Sequence, residues 1–146
     1  MQPVKTHRPS RSPCPIGRAS SIIGDRWAIL IVREAFLGIT RFDDFLKRLR
    51  ISRAALTSRL KLLTEAGIMH RDPPEGKRAD YRLTESGRDL FTTITALRQW
   101  GDRWLFEDGH EPVPLRTLDG DEVAEVIVVT KAGTLFRPEQ RKQPDL

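Results

Sequence analysis

The stretch Ile51-Ser52-Arg53-Ala54-Ala55-Leu56-Thr57-Ser58-Arg59-Leu60-Lys61-Leu62-Leu63-Thr64-Glu65-Ala66-Gly67 decides the reading of this chain. Ala55, Leu56, Leu60 and Leu63 recur at the spacing of one helix face, so the segment reads as an amphipathic helix. Ser52 supplies the oxygen that an N-cap needs, and Gly67 supplies the stop. With the leucines turned inward, Ser52, Arg53, Ala54, Thr57, Ser58, Arg59 and Lys61 face outward or flank that face. From Phe45 to Thr64 there are six cations (Lys47, Arg48, Arg50, Arg53, Arg59, Lys61) and no anion. A helix that is merely solvated usually mixes Glu with Lys at i,i+4. A cationic face without acids, inside an amphipathic pattern, is instead the footprint of a polyanion-binding helix.

Working outward, Phe42, Phe45, Leu46 and Leu49 repeat at helical spacing from Thr40, with Asp43 and Asp44 in the first turn, where the helix dipole favours them. Arg50-Ile51 is the turn between this helix and the basic one. Farther upstream, Trp27 to Val32 is apolar nearly all round and predicts a central buried helix over 26–37, capped by Asp25 and stopped by Gly38. Pro15 opens a short helix with Ile16, Ala19, Ile22 and Ile23 on its apolar face. Downstream of Gly67 the period changes to two. Ile68 to Arg71 and Ala79 to Leu83 read as strands around an Asp72-Pro73-Pro74-Glu75-Gly76 turn, with Lys77 and Arg78 at the hairpin tip. Thr84 caps a long helix, 85–106, whose stripe is Leu90, Ile94, Leu97, Trp100, Gly101 and Trp104. Helix-turn-helix followed at once by a hairpin is the order of a winged helix. The fold class is therefore α+β, mainly α, with a winged helix-turn-helix, a long C-terminal helix and a small β-rich extension.

The whole chain sets the bounds. Its 146 residues suffice for one domain with a core, 38% are hydrophobic and 31% charged, and the formal net charge is +5. The charge is polarised: residues 1–106 hold 20 Lys+Arg against 11 Asp+Glu, or +9, and 107–146 hold 5 against 9, or −4. No charge-free run approaches the length of a membrane span, and Met1 to Pro15 has no apolar core of a signal peptide, so the expected location is the cytoplasm. One cysteine, Cys14, excludes an internal disulfide and a multi-cysteine zinc site. Three scattered histidines offer no metal cluster, so neither metal nor cofactor is expected. The expected organisation is a basic arm over 1–13, a DNA-binding domain over 14–106 and an extension over 107–146. In the extension, Val113 to Leu118 and Val123 to Thr130 read as strands around Asp119-Gly120, a third covers Thr134 to Arg137, and the last nine residues read as disordered.

A B-DNA major groove admits one α-helix, whose exposed side chains meet base edges. Arg53 and Arg59 suit bidentate contacts to guanine, Lys61 suits phosphate, and Lys77 and Arg78 suit the minor groove or its backbone. The expected partner is double-stranded DNA. The main rival is a winged-helix protein-interaction module without sequence-specific DNA binding, which would need no acid-free helix. RNA is disfavoured because no aromatic side chain accompanies the basic face. An enzyme is disfavoured because there is no phosphate loop and Cys14 has no nearby base; no catalytic residue is assigned.

Cys14-Pro15 opening the domain, Gly24-Asp25-Arg26-Trp27, Arg41-Phe42, Leu56-Thr57-Ser58-Arg59-Leu60, Tyr81 to Thr84 and Trp100-Gly101 stand in one register across Cys14 to Trp104. This constellation resembles the HxlR-type winged helix-turn-helix transcription regulators. The resemblance implies a bacterial regulator that binds a two-fold operator as a homodimer, a repressor answering a small-molecule effector or oxidative and electrophile stress. It implies a dimer interface through the first and last helices of the domain, here Ile16, Ile22 and Ile23 with Leu97, Trp100 and Trp104. In some relatives a cysteine at the position of Cys14 senses quinones or disulfide stress, which makes Cys14 a candidate redox sensor. Arg11 and Arg18 nearby give it an electropositive setting.

Overall fold

Capping chemistry sets most of the element boundaries. The structure is a computed structural model and describes residues 11–110 and 112–140. In order, the elements are α1 (Pro15–Ile23), α2 (Arg26–Phe36), α3 (Phe42–Leu49), α4 (Arg53–Glu65), β1 (Met69–Asp72), β2 (Asp80–Leu83), α5 (Glu85–Arg88), α6 (Phe91–Trp104) and a 3-10 turn (Pro138–Gln140). The chain divides into two compact units, Met1–Ile94 and Thr95–Leu146, with the division inside α6. Residues 1–10 of the expected arm lie outside the described residues.

In the first unit, α2 is the central helix. The Asp25 Oδ1 accepts from the Trp27 and Ala28 amides at 2.7 and 3.2 Å and starts the helix. Ala28, Ile31 and Val32 of α2 meet Phe45 of α3 and Leu56, Leu60 and Leu63 of α4 in the core, closed below by Ile68 and Met69. Burying each large apolar side chain contributes roughly 1.5–3 kcal/mol before chain entropy is charged against it. Glu34 also lies buried on α2, a position the nearly all-apolar pattern of Trp27–Val32 does not announce. A buried carboxylate is costly unless paired. Here Arg33 and Arg48 both donate to it, so α3 is tied electrostatically to α2.

The turn between α3 and α4 uses a left-handed residue, Arg50 (φ 52°), and a buried one, Ile51. The Ser52 Oγ then accepts from the Ala55 amide at 3.1 Å and starts α4. β1 and β2 pair antiparallel with Met69 opposite Leu83 and His70 opposite Arg82. The other edge of β2 is engaged too: the Tyr81 amide donates to the Thr40 carbonyl at 2.8 Å, and Arg41 pairs with Asp80 at 3.2 Å. The wing is thereby joined to the start of α3.

The single helix expected over 85–106 is instead two. Thr84 caps α5 by accepting from the Gly87 amide at 3.1 Å while donating back to the Gly67 carbonyl at 2.5 Å. Gly87 is buried so close to β1 that an added Cβ would sit 2.1 Å from the Ile68 carbonyl oxygen. This anchorage fixes the direction of the first turn. The chain tightens at Asp89–Leu90, where the Leu90 amide donates to the Gly87 carbonyl at 3.2 Å, and α6 starts anew with Leu90 and Ile94 packed on the core.

In the second unit, the three strands expected in the extension reduce to two turns closed by isolated bridges, Arg116 with Glu122 and Val129 with Leu135. Prolines at 112 and 114 donate no backbone hydrogen bond, and each turn leaves too few residues for a ladder. Gly120, at φ 92°, makes the first turn, as its Asp-Gly sequence indicates. The Gln99 amide of α6 clamps the extension, donating to the Ala124 carbonyl at 2.9 Å and accepting from the Val126 amide at 2.8 Å. Disorder expected from residue 138 gives way to the 3-10 turn at 138–140, and residues 141–146 lie outside the described set.

The close approach at Gly87 yields a direct test. Gly87→Ala should lose about 1–3 kcal/mol of stability in urea denaturation, because the Ile68 carbonyl, just before β1, must move. The exposed neighbour Ser86→Ala should stay within about 0.5 kcal/mol.

Candidate nucleic-acid interface

The candidate interface is built on α4, whose buried face (Leu56, Leu60, Leu63) dictates which side chains remain outside. Ser52, Arg53, Ala54, Thr57, Ser58 and Lys61 are exposed, and Arg59 is half-buried. Ser52, Arg53, Ala54, Thr57, Ser58 and Lys61 share one face, while Arg59 flanks the buried leucines on the other side. Ala54 adds only a methyl, so a groove wall can come close to the backbone there. The Thr57 hydroxyl donates to the Arg53 carbonyl at 2.9 Å and keeps its lone pairs for a donor on a ligand.

Four of the six cations between residues 45 and 64 meet acids outside that stretch, one of them, Glu65, at i,i+4 on α4 itself. Arg48 reaches Glu34 of α2, and Arg59 reaches Asp25. Arg53 lies 3.5 Å from Asp43, and Lys61 lies 3.8 Å from Glu65. The acids are absent from the stretch itself and present in space. They do not all count equally. The Arg53 and Lys61 pairs are solvent-exposed and worth about 0–1 kcal/mol, so a phosphate replaces the acid at little cost. Arg53 is also held over the Phe42 ring, 5.1 Å from its centroid, which keeps the guanidinium extended at the start of α4.

Arg59 is different. Its Nε is buried and meets Asp25 as an ion pair without an aligned hydrogen bond. Asp25 thus caps α2 with one oxygen and holds α4 with the other. Sequence reasoning found Asp25 as a cap and missed this second use, since 34 residues separate the partners and no periodicity links them.

Lys77 and Arg78 stand exposed beyond β1, with no ion pair among the described residues. A residue that sequence reasoning passed over shapes their loop. Arg71 donates to the Pro73 carbonyl at 2.7 Å and to the Gly76 carbonyl, cross-bracing the turn that presents them.

The candidate dimer residues divide between the two units. In the first, Ile16 is exposed, while Ile22 and Ile23 are half-buried. In the second, Leu97, Trp100 and Trp104 are 46%, 54% and 66% exposed, and Leu105 and Phe106 continue the apolar surface. The two tryptophans are therefore not absorbed by a core of their own chain. Cys14 is exposed at the N-cap of α1. Its amide donates to the Ser12 Oγ at 3.1 Å, and the Arg18 Nε donates to the Ser12 carbonyl at 2.7 Å, so Cys14 and Arg18 converge on Ser12. No helix among the described residues is long and apolar enough to cross a membrane.

Fold and site together define a winged helix-turn-helix protein. Residues 22–108 match the HxlR-like helix-turn-helix family, and the chain belongs to that family. It is 47% identical over 103 residues to Rv3095, an uncharacterized HTH-type transcriptional regulator of Mycobacterium tuberculosis, a match covering 69% of this chain and 65% of that one. The chain thus spans just under two thirds of that relative's length. A crystal structure of PA1607, a candidate transcription factor, superposes with a TM-score of 0.85 at 38% identity, covering 92% of this chain and 97% of the other. The redox regulator HypR in its oxidized form superposes with a TM-score of 0.56 at 29% identity, covering 65% and 99%.

The double use of Asp25 separates two substitutions. Asp25→Ala removes cap and pair and should cost about 1–2 kcal/mol in denaturant unfolding. Asp25→Asn keeps a capping oxygen and gives up a half-exposed pair, so it should cost less than about 1 kcal/mol. Equal losses would show that the ion pair dominates.

Proposed function

We propose that this protein is a bacterial, non-enzymatic transcriptional regulator that binds a two-fold operator in double-stranded DNA as a homodimer and represses from it. The observation that carries the reading is the exposed face of α4, short polar and cationic side chains from Ser52 to Lys61, followed by a wing tip with Lys77 and Arg78, in a chain of the HxlR-like family.

In this reading α4 enters the major groove. Arg53 exchanges Asp43 for a guanine edge, Ser52, Thr57 and Ser58 offer hydroxyls to bases or phosphate, and Lys61 exchanges Glu65 for phosphate. Arg59 binds DNA only by leaving Asp25, so its main part is to fix the helix. Lys77 and Arg78 enter or flank the minor groove. A two-fold site requires two such helices about 34 Å apart, and a dimer supplies them. The exposed Trp100, Trp104, Leu105 and Phe106 support association, since a soluble monomer rarely leaves so contiguous an apolar load uncovered. Cys14 lies beside α1, whose Ile16 belongs to the proposed interface. Alkylation of its thiolate by an electrophile would form a carbon–sulfur bond there and change dimer geometry. The likeness to a redox regulator supports testing this residue first.

Binding to duplexes selected from genomic fragments, compared with random duplexes, tests the assignment. Arg53→Ala should cost about 1–3 kcal/mol on selected sites and far less on random ones. Arg59→Ala should cost less than Arg53→Ala on the same sites. The double substitution of Lys77 and Arg78 by Ala should weaken both kinds of site and lower the salt slope by about 1 per cation removed. Loss of equal size for all variants on both duplexes would remove the base-reading role of α4.

Sedimentation tests the dimer. Trp100→Glu with Trp104→Glu should give monomers at micromolar concentration where the unmodified chain gives dimers. A unmodified chain that sediments as a monomer would overturn this part. Cys14→Ser should keep operator binding after quinone treatment that abolishes it in the unmodified protein. Equal loss in both would exclude Cys14 as the sensor.

A further inference from the structure

The first unit holds a cleft of about 630 Å³ bounded by the end of α2, the base of the wing, α5 and the start of α6. Its size lies within the range of small-molecule sites, roughly 300–1,000 Å³. We propose that it binds a small planar aromatic carboxylate. This gives a ligand class to the effector expected of a regulator, and in that respect it rests on the preceding reading.

The wall is aromatic. Phe36 and Phe91 meet edge to face, with centroids 5.2 Å apart and planes at 65°. Phe91 nevertheless remains 49% exposed and lines the cleft, which leaves aromatic surface for a further planar group. The rim is cationic or basic: His70, Arg82 and Arg88 line the cleft and no Asp or Glu does. His70 and Arg82 are direct cross-strand partners, so their side chains leave the hairpin on the same face. Neither arginine is exhausted by its protein contacts. Arg88 gives one N–H to the Leu83 carbonyl at 3.0 Å, and Arg82 gives one to Asp80 at 2.8 Å. A guanidinium has five N–H donors, which leaves a fork for a carboxylate on either residue. An aromatic plane beside two arginines with donors to spare matches an aromatic carboxylate better than a neutral or cationic ligand. The lining also includes both strands of the wing, so an occupant would touch the element that carries Lys77 and Arg78.

Calorimetric titration of the full chain with 2-naphthoate, without DNA, tests the site. Saturable binding of one naphthoate per chain is expected, with 2-naphthamide at least tenfold weaker. Arg82→Gln with Arg88→Gln should weaken naphthoate at least tenfold, and these exposed positions should leave the melting temperature nearly unchanged. Phe91→Ala should weaken acid and amide alike. The His70 ring resonances should shift on naphthoate addition in the unmodified chain. No saturable binding up to millimolar naphthoate, equal affinity for acid and amide, or full affinity in the double arginine variant would each overturn the proposal. Because no DNA is present, the result is independent of operator binding. A chain that binds naphthoate and fails to bind any duplex would strike the regulator reading alone.

Discussion

One carboxylate, that of Asp25, sets the position of both helices that matter most. One oxygen satisfies two orphan amides at the start of α2. The other receives Arg59 from the middle of α4. The cap fixes where the central helix begins, and the pair fixes where α4 lies against that beginning. Without this contact, packing of Leu56, Leu60 and Leu63 would still bury α4, but apolar contacts are non-directional and tolerate sliding. A charged, partly desolvated contact selects one register. Glu34 does the same for α3 through Arg48. Each helix of the helix-turn-helix pair is thus packed by leucines and phenylalanine and indexed by a carboxylate from the α2 segment.

Most of this frame is legible in the sequence because it is written in local chemistry. Asp25, Ser52 and Thr84 are read as caps from their type and place, and each accepts the backbone hydrogen bond that a cap should. The change of period after Gly67 shows the wing. Where the reading departs from the structure, the cause is long-range. Spacing alone joins 85–106 into one helix, since nothing local reveals that Gly87 must press against the Ile68 carbonyl. Alternation alone suggests strands in the extension, since nothing local reveals that each pairing stops after one bridge. The acids that face the basic stretch are invisible for the same reason: Asp25 and Glu34 arrive from another helix. The small site in the first unit is the extreme case. Phe36, His70, Arg82 and Phe91 are scattered over 56 positions and carry no spacing signal at all.

The hidden acids change the electrostatic account of α4 without reversing it. A helix-turn-helix stretch with six uncompensated cations would attract any polyanion, and nearly all of its affinity would be non-specific. Pairing Arg53 with Asp43 and Lys61 with Glu65 offsets the long-range field of those cations, because opposite charges a few ångströms apart largely cancel beyond a Debye length. In the proposed complex the cancellation would end at contact: a phosphate or guanine edge would take the arginine, and the freed carboxylate would turn to water. The pairs are exposed, so the exchange costs little.

That arrangement divides the work between the two basic elements. The wing tip has no acid paired with Lys77 or Arg78 among the described residues, so in the proposed complex these cations would meet any duplex without first releasing a partner. On α4, each cation must be released by a better acceptor, and only a groove that supplies one at the right place compensates for every release. In the proposed complex, a mismatched base would leave Arg53 with a choice between Asp43 and an imperfect contact, which favours the acid. Intramolecular acids beside a reading helix therefore act against wrong sequences more than against right ones, which is how specificity gains from interactions that lower affinity.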